Sequence, residues 1–533
     1  MRTEHIAFQE TGRFSSLICD YLKEDKGLQP FYGLHPNIKN FKAQIKAKKS
    51  SFSIKTRSVL SRTLRQQYSI LKPTKAVKIN LNLLDKENTF TVTTGHQLCL
   101  MTGPLYFLYK IISAINLCDQ LKKAYPESNF IPIYWMASED HDFEEISSFR
   151  FRDKNVFWPR EAAGAVGDLP LIDLMESLDV FESNLGDSSA AQTVKKWILN
   201  SYKKGANLSE ATFRLVDQLF GKYGLVVLEP NNKELKLLFS PIIREELNEY
   251  NSFESVKEQI DKIKKVREDY NPQVNPRKIN LFYLTDSGRY RIEKEGEDFV
   301  LNGTDQRFNE KEFLVLAKKY PERFSPNVIL RPVYQEVILP NLCYIGGGGE
   351  LAYWFQLKNN FDRLNVPFPI LLLRNSAIIY SEKLGKKINK LNIEKKDLFL
   401  KRNSLINKKI NQISNINLDL SFLKQKLNEQ FDHLNILVEQ TDKSFKGAVE
   451  AQKIKQFKGI EYLEKRLLKA QKRVLLDKTQ RLMELHNGLF PDDTLQERTL
   501  NFVDFYLEME DSFFPILFKA LDPMNSNFVM IEY

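Results

Sequence analysis

Residues 370–490 contain no proline, although the 533-residue chain has 21. Proline removes a backbone N–H and clashes inside a helix. A 121-residue stretch bounded by Pro369 and Pro491 and rich in Lys, Leu, Glu and Gln therefore predicts long helices. Leu420, Leu423, Leu427, Phe431, Leu434 and Val438 advance in steps of three and four, as do Ile460, Leu463, Leu467, Ala470 and Val474. Both sets are narrow seams of coiled-coil type, with a break offered at 444–447. The expectation is a C-terminal antiparallel α-helical coiled coil over 381–488. Residues 489–533 would then pack back on the rest of the chain.

The same stretch carries the chain's charge. The formal net charge is +10, and residues 381–480 hold 23 Lys plus Arg against 12 Asp plus Glu, a net +11 that leaves the remainder at −1. One reading is a basic arm that holds RNA, as in an aminoacyl-tRNA-type ligase or an RNA-binding protein. The other is the solvated outside of a coiled coil, the usual state of charge runs on long helices. The arm lacks the interleaved aromatics that stack on single strands, so a nucleic-acid partner is not expected. A content of 42% hydrophobic and 27% charged residues excludes a disordered chain. No apolar run approaches the roughly 18–20 residues of a membrane span, and Met1-Arg2-Thr3-Glu4-His5 is no apolar signal segment, so a cytoplasmic protein is expected. Cys19, Cys99, Cys118 and Cys343 are scattered without a Cys-x-x-Cys, so neither a disulfide framework nor a zinc site is expected.

Residues 1–380 read as α/β. Strand candidates are 89–94, 130–136, 225–228, 280–283, 337–345 and 369–373; helix candidates include 106–122, 211–221 and 351–359. Strand–loop–helix units spaced this way favour a doubly wound, mostly parallel sheet. Two segments, near 147–207 and 254–308, read as insertions, the second with a hairpin at Tyr283–Tyr290 turning through Asp286-Ser287-Gly288.

Ligands bind such sheets at the carboxyl ends of strands, and three ends carry unusual residues. The first is Thr94-Gly95-His96-Gln97, followed by Thr102-Gly103-Pro104. Gly95 and Gly103 let backbone N–H groups approach an anion, and His96 is placed to donate to a phosphate oxygen. A Gly-containing turn with a satisfied histidine is the plain alternative. The second is Ser138-Glu139-Asp140-His141-Asp142-Phe143-Glu144-Glu145, with five acids and a histidine in seven residues. So many carboxylates repel one another unless an amine substrate, a metal or an arginine joins them. Asp140 or Asp142 would hold an ammonium group and His141 would act as general base. An acidic helix N-terminus accounts for one or two of these acids. The third is Gly346-Gly347-Gly348-Gly349-Glu350, with Tyr353 and Trp354 one turn on, placed to stack on a ring. Here the alternative is a tight turn with Trp354 in the core.

At these ends the sequence resembles the cysteine-adding enzymes of bacillithiol biosynthesis, the BshC family. The likeness continues through Asn275-Pro276-Arg277-Lys278, Leu339-Pro340 to Trp354, Leu463-Glu464-Lys465-Arg466, Leu489-Phe490-Pro491 and Leu495-Gln496-Glu497-Arg498, spanning nearly the whole chain. One departure is Gly348, where the family's glycine loop has proline. The resemblance implies a Rossmann-like core with connecting-peptide insertions, like class I cysteine ligases, and a coiled coil that forms a homodimer. It also implies ligation of L-cysteine to glucosaminyl-malate; an amide bond needs an activated carboxyl, for which ATP with Mg²⁺ is the expected activator, and with no cysteine cluster zinc is not expected. By that analogy Gly95, His96, Thr102, Gly103, Gly346, Gly347 and Arg374 would serve the nucleotide. Gln97, Glu139, Arg277, Glu350, Tyr353 and Trp354 would serve the substrates, and His96, Asp140, His141 and Asp142 the chemistry. A Lys-rich second signature loop is not evident; Thr441-Asp442-Lys443-Ser444-Phe445-Lys446 is suggestive but lies inside the arm.

Overall fold

The computed structural model describes residues 1–442 and 444–533, so Lys443 of the Lys-rich segment lies outside the described residues. Two compact units form. The body comprises Met1–Ile378 with Gln496–Ile531, and the helical unit comprises Ile379–Leu495 with the last two residues.

The body is organised by a five-stranded sheet. Its strands are β1 (Thr89–His96), β2 (Asn129–Met136), β3 (Val226–Leu228), β4 (Asn341–Gly346) and β5 (Ile370–Leu373). They lie in the order β5-β4-β1-β2-β3, every pair parallel. The strands read as continuous apolar and Thr runs because both faces are covered. Phe90, Val92, Leu342, Ile345, Ile370 and Leu372 pack there with Ala114, Leu117 and Leu121 of the helix Tyr106–Ala124, which carries the chain from β1 to β2. The order reverses between β1 and β4, and that switch point opens a crevice at the strands' carboxyl ends.

The strand expected over 337–345 is shorter. Residues up to Ile338 belong to the helix Arg331–Ile338, whose first turn accommodates Pro332, and β4 starts only after Pro340. The helix expected at 351–359 is two helices, Gly348–Trp354 and Lys358–Arg363. Between β3 and β4 lies an antiparallel five-stranded sheet, ordered Arg307–Asn309, Asp298–Leu301, Gly288–Glu295, Leu281–Thr285, Phe324–Pro326. Its first hairpin pairs Tyr283 with Tyr290 across Asp286-Ser287. Between β2 and β3 the chain forms a two-stranded ribbon, Ser148–Phe151 with Lys154–Phe157, and then helices.

In the helical unit, Ser421–Glu439 and Ser444–Val474 form a hairpin. Lys424 pairs with Glu464 and Asp432 with Lys453, so the two helices run antiparallel. The first seam packs from Leu427 onward: Leu427 and Phe431 are buried with Val449, and Leu434, Val438, Phe457 and Ile460 close around them, while Leu423 is 37% exposed. The second seam does not. Leu463 is 58% and Val474 75% exposed, because the face of the longer helix turned to its partner runs through Val449, Phe457, Ile460 and Glu464. Among the described residues, no helix is long and apolar enough to cross a membrane.

Candidate active site

The crevice at the switch point is a cavity of about 770 Å³. The carboxyl ends of β1 and β2, the helix after β4 and the antiparallel insertion all contribute to its wall. It has a deep pole and an outer pole.

The deep pole is built on Lys110. This lysine sits in an otherwise apolar stretch of the helix after β1 and is buried. Its Nζ donates to the Gly95 carbonyl at 2.8 Å and pairs with Glu350 at 2.6 Å. Glu350 also accepts from Tyr344 OH at 2.8 Å and from the Gly347 N–H at 2.7 Å. Burial alone would raise the Glu350 carboxyl, but Lys110 and the Gly347 amide hold it below its usual value. Gly346 leaves little room for a side chain: a Cβ there would come within 2.9 Å of Leu351 and 3.0 Å of Tyr344, so its neighbours would have to shift. Gly348 occupies the first position of its helix, where proline is also tolerated, so the departure from the family pattern is locally harmless. Arg331 donates to Tyr353 OH at 2.7 Å and lies over the Tyr344 ring.

His96 lines this pole as a neutral imidazole. Burial and the Lys110 charge lower its pKa to about 3. Its Nδ1 lies 2.8 Å from the Gln97 carbonyl, which only accepts, so Nδ1 carries the proton and Nε2 is left as an acceptor. That corrects the expected role of His96 as donor to a phosphate.

At the outer pole two acids of the motif, Glu139 and Asp140, are neutralised by cations of the protein. Glu139 pairs at 2.5 Å with Lys236, a wholly buried lysine that also donates to the Phe324 carbonyl. Asp140 accepts from Gln97 at 3.0 Å and from the His141 backbone N–H at 2.8 Å, and faces Arg289 at 3.8 Å. Burial would raise the Asp140 carboxyl, but the His141 and Gln97 hydrogen bonds and the Arg289 charge hold it well below the carboxylate range. Arg289 comes from the inserted hairpin and stacks over Phe282 at 4.1 Å. It approaches His141 Nδ1 at 3.0 Å. A guanidinium only donates, so the His141 lone pair is already engaged and the expected general base is occupied in this arrangement. The cations that the acidic motif demanded are therefore Lys236 for Glu139 and, for Asp140, an arginine supplied by the insertion.

Several expected site residues stand elsewhere. Asp142 is exposed, lies outside the cavity and caps the short helix Phe143–Ile146. Trp354 is fully buried against Tyr344, Phe361 and Phe368, so the core reading applies to it. Arg374 lies outside the cavity, with its fork bonded to Glu497, Ser376 and the Asn375 carbonyl and its guanidinium over Tyr106. Thr102 and Gly103 are buried away from the cavity in a strained turn. Met101, Thr102 and Gly103 all have positive φ, and Asn501 holds the turn by donating to the Met101 and Gly103 carbonyls. Gly95, His96, Gln97, Glu139, Asp140, His141, Arg277, Glu350 and Tyr353 do converge on the cavity.

Lys110, Lys236, Arg289 and Arg331 escaped sequence reasoning. For the two lysines a signal exists: Lys110 interrupts the apolar run Tyr109-Lys110-Ile111, and Lys236 shares the buried helix face of Leu235, Phe239 and Ile243. A lysine there needs a carboxylate. Nothing in the sequence around Arg289 or Arg331 marks either one.

Fold and site together define a Rossmann-like protein of the doubly wound class with a charged crevice at its switch point and an appended coiled coil. Residues 1–375 match the family described as "Bacillithiol biosynthesis BshC, N-terminal Rossmann-like domain", and residues 377–533 match "Bacillithiol biosynthesis BshC, C-terminal coiled-coil domain". A Flavobacterium johnsoniae protein named "Putative cysteine ligase BshC" is 48% identical over all of both chains. Proteins of the same name from Christiangramia forsetii and Cytophaga hutchinsonii are 49% and 35% identical, over 100% and 99% of this chain and 99% of each of theirs. The chain belongs to the BshC family.

Proposed function

We propose that this protein is an ATP-dependent ligase that joins L-cysteine to glucosaminyl-malate through an amide bond, forming bacillithiol. The observation that carries the reading is the crevice itself: a cavity at the switch point of a Rossmann-like sheet, lined with three paired acids and with three guanidiniums that, among the described residues, have no acid partner. The names of the relatives supply the cysteine and the pathway. The free amine of glucosaminyl-malate would attack the cysteine carboxyl. ATP, bound with Mg²⁺, supplies the leaving group that makes that carboxyl reactive. A polyanion fits the deep pole, because Arg331 lines it and, among the described residues, no carboxylate lies within ion-pair distance of its guanidinium.

The chain's own residues bind and orient. The Lys110–Glu350–Tyr344 network fixes the loop after β4, so that Gly346 and Gly347 keep their backbone beside the end of β1. His96 offers Nε2 as an acceptor, and Gln97 holds Asp140 toward the outer pole. The exposed Leu463, Ile454 and Tyr462 of the hairpin give a second copy of the chain an apolar surface, and we assign the coiled coil to a homodimer.

The test is direct. Protein, ATP, L-cysteine and glucosaminyl-malate are incubated and the conjugate is sought by mass, with AMP and ADP measured in the same tube. Conjugate with stoichiometric AMP supports an adenylate, and conjugate with ADP an acyl phosphate. Absence of conjugate with all three substrates and Mg²⁺ present rejects the reading.

A further inference from the structure

Four carboxylates and five cations line the cavity, and most of them cancel. Glu350 is taken by Lys110, Glu139 by Lys236 behind the wall, and Asp140 by Arg289. Lys110 and Arg289 are spent in those pairs. What remains is one carboxylate, Glu145, and three guanidiniums, Arg277, Arg291 and Arg331. Among the described residues, none of these four side chains has an ion-pair partner. Glu145 lies on the short helix Phe143–Ile146, where its backbone N–H is capped by Asp142 at 3.4 Å. Glu145 is exposed and lines the cavity.

A charged side chain facing a cleft without a partner is a complement in waiting: the ligand supplies the opposite charge, and the unpaired group disfavours ligands of its own sign. We infer that Glu145 receives the primary ammonium group of a substrate whose anionic groups meet the unpaired guanidiniums. The assignment rests on the function proposed above and names a residue within it. It also moves the amine from Asp140 and Asp142 to Glu145, because Asp140 is already committed to Gln97 and Arg289, and Asp142 lies outside the cavity. The surplus of three guanidiniums over one carboxylate suits a ligand with more anionic groups than ammonium groups. Glucosaminyl-malate has that balance, with one amine and two carboxylates; L-cysteine has one of each.

The ammonium has two possible sources, and calorimetric titration separates them. Wild type, Glu145→Gln and Glu145→Asp are titrated with glucosaminyl-malate, with its N-acetylated form, which has no ammonium, and with L-cysteine. A charge-assisted hydrogen bond is worth about 10- to 100-fold in affinity. Glu145→Gln is expected to lose that factor for one of the two amines. Its affinity for the N-acetylated probe stays within about twofold, and Glu145→Asp recovers part of the loss. Loss for glucosaminyl-malate assigns the amino sugar to Glu145, and loss for L-cysteine assigns the amino acid. If the wild type makes the conjugate but Glu145→Gln binds both amines as the wild type does, the assignment falls while the function stands. If the wild type binds neither amine and makes no conjugate, both fall together.

Discussion

Lysine is abundant in both units of this protein, and three buried lysines of the body are used in the opposite way to the lysines of the hairpin. In the body, Lys48, Lys110 and Lys236 are buried, and each points at one glutamate: Glu336 at 3.0 Å, Glu350 at 2.6 Å and Glu139 at 2.5 Å. In the hairpin the lysines line solvated faces, and pairs such as Lys424–Glu464 keep both partners partly exposed. The positive excess that dominates the sequence lies in the helical unit, over 381–480, yet the lysines that shape the cavity lie in the nearly neutral body. Taking a charge out of water is costly unless it is paired, so a buried lysine fixes the position of its partner, while an exposed one can be exchanged freely.

Lys48→Met gives the largest contrast. It leaves Glu336 buried with only Asn341 and Gln335 as donors, and stability is expected to fall by about 3–5 kcal/mol. All four tryptophans lie in the body, so urea unfolding followed by tryptophan fluorescence reads that unit alone. Adding Glu336→Gln removes the stranded charge and should return at least half of the loss. A single variant that unfolds like wild type would show that the body tolerates an unpaired buried acid, and the contrast with the hairpin would disappear.

Glu229 gives the next largest effect, and it depends on pH. This carboxyl accepts hydrogen bonds from Ser138 and Ser209 just behind the acidic motif. Burial raises its pKa to about 7, against the opposing pull of those hydroxyls. Between its ordinary value and about 7 the folded state holds a proton that the unfolded state releases, so stability falls as pH rises through that window. Glu229→Gln should flatten that slope and leave the protein about 2–3 kcal/mol more stable than wild type at pH 8, with no difference near pH 4. Parallel stability curves for the two proteins would refute the buried, protonated carboxyl.

The two units also differed in how much of them the sequence disclosed. The parallel sheet was legible because its strands are buried on both faces and read as unbroken apolar runs. The glycines and acids at the ends of β1, β2 and β4 marked the crevice. The partners that neutralise those acids were not legible: Arg289 reaches Asp140 across 149 residues of chain, and Lys236 reaches Glu139 across 97. Pairing at such separations is fixed by topology, and periodicity carries no trace of it. In the hairpin the first seam was legible and the second misled. Ile460, Leu463, Leu467, Ala470 and Val474 keep coiled-coil spacing, but of that set Ile460 packs in the seam, while Leu463, Ala470 and Val474 are exposed. Spacing states that a stripe exists and leaves open what covers it.

Phe431→Ala sharpens the hairpin side. Phe431 is 3% exposed in a seam with only Leu427 and Val449 buried beside it. A phenylalanine in a full core costs about 3–5 kcal/mol on truncation; in a seam this thin, with water close by to relax the cavity, about 2 kcal/mol is expected. Hydrogen exchange of amides within Ser421–Glu439 should speed up accordingly, while tryptophan-detected unfolding of the body stays unchanged. Unaltered exchange would mean that the two helices are held by something other than this seam.

Lys424→Gln should do least. Its Nζ lies 2.8 Å from Glu464, a distance comparable to the buried pairs of the body, and Glu464 also accepts from the Leu420 N–H. Distance alone would therefore rank it with Lys48. Exposure decides otherwise: water already solvates both charges, the pair is screened by salt, and holding two long side chains in one geometry costs entropy. Exchange rates in Ser421–Glu439 should match wild type within replicate scatter, at low and at physiological salt. If Lys424→Gln instead loosened the helix as much as Phe431→Ala, and salt did the same to wild type, the hairpin would be held by its charges. Its basic character would then be structural, and the division between positioned and exchangeable lysines would no longer follow the boundary between the two units.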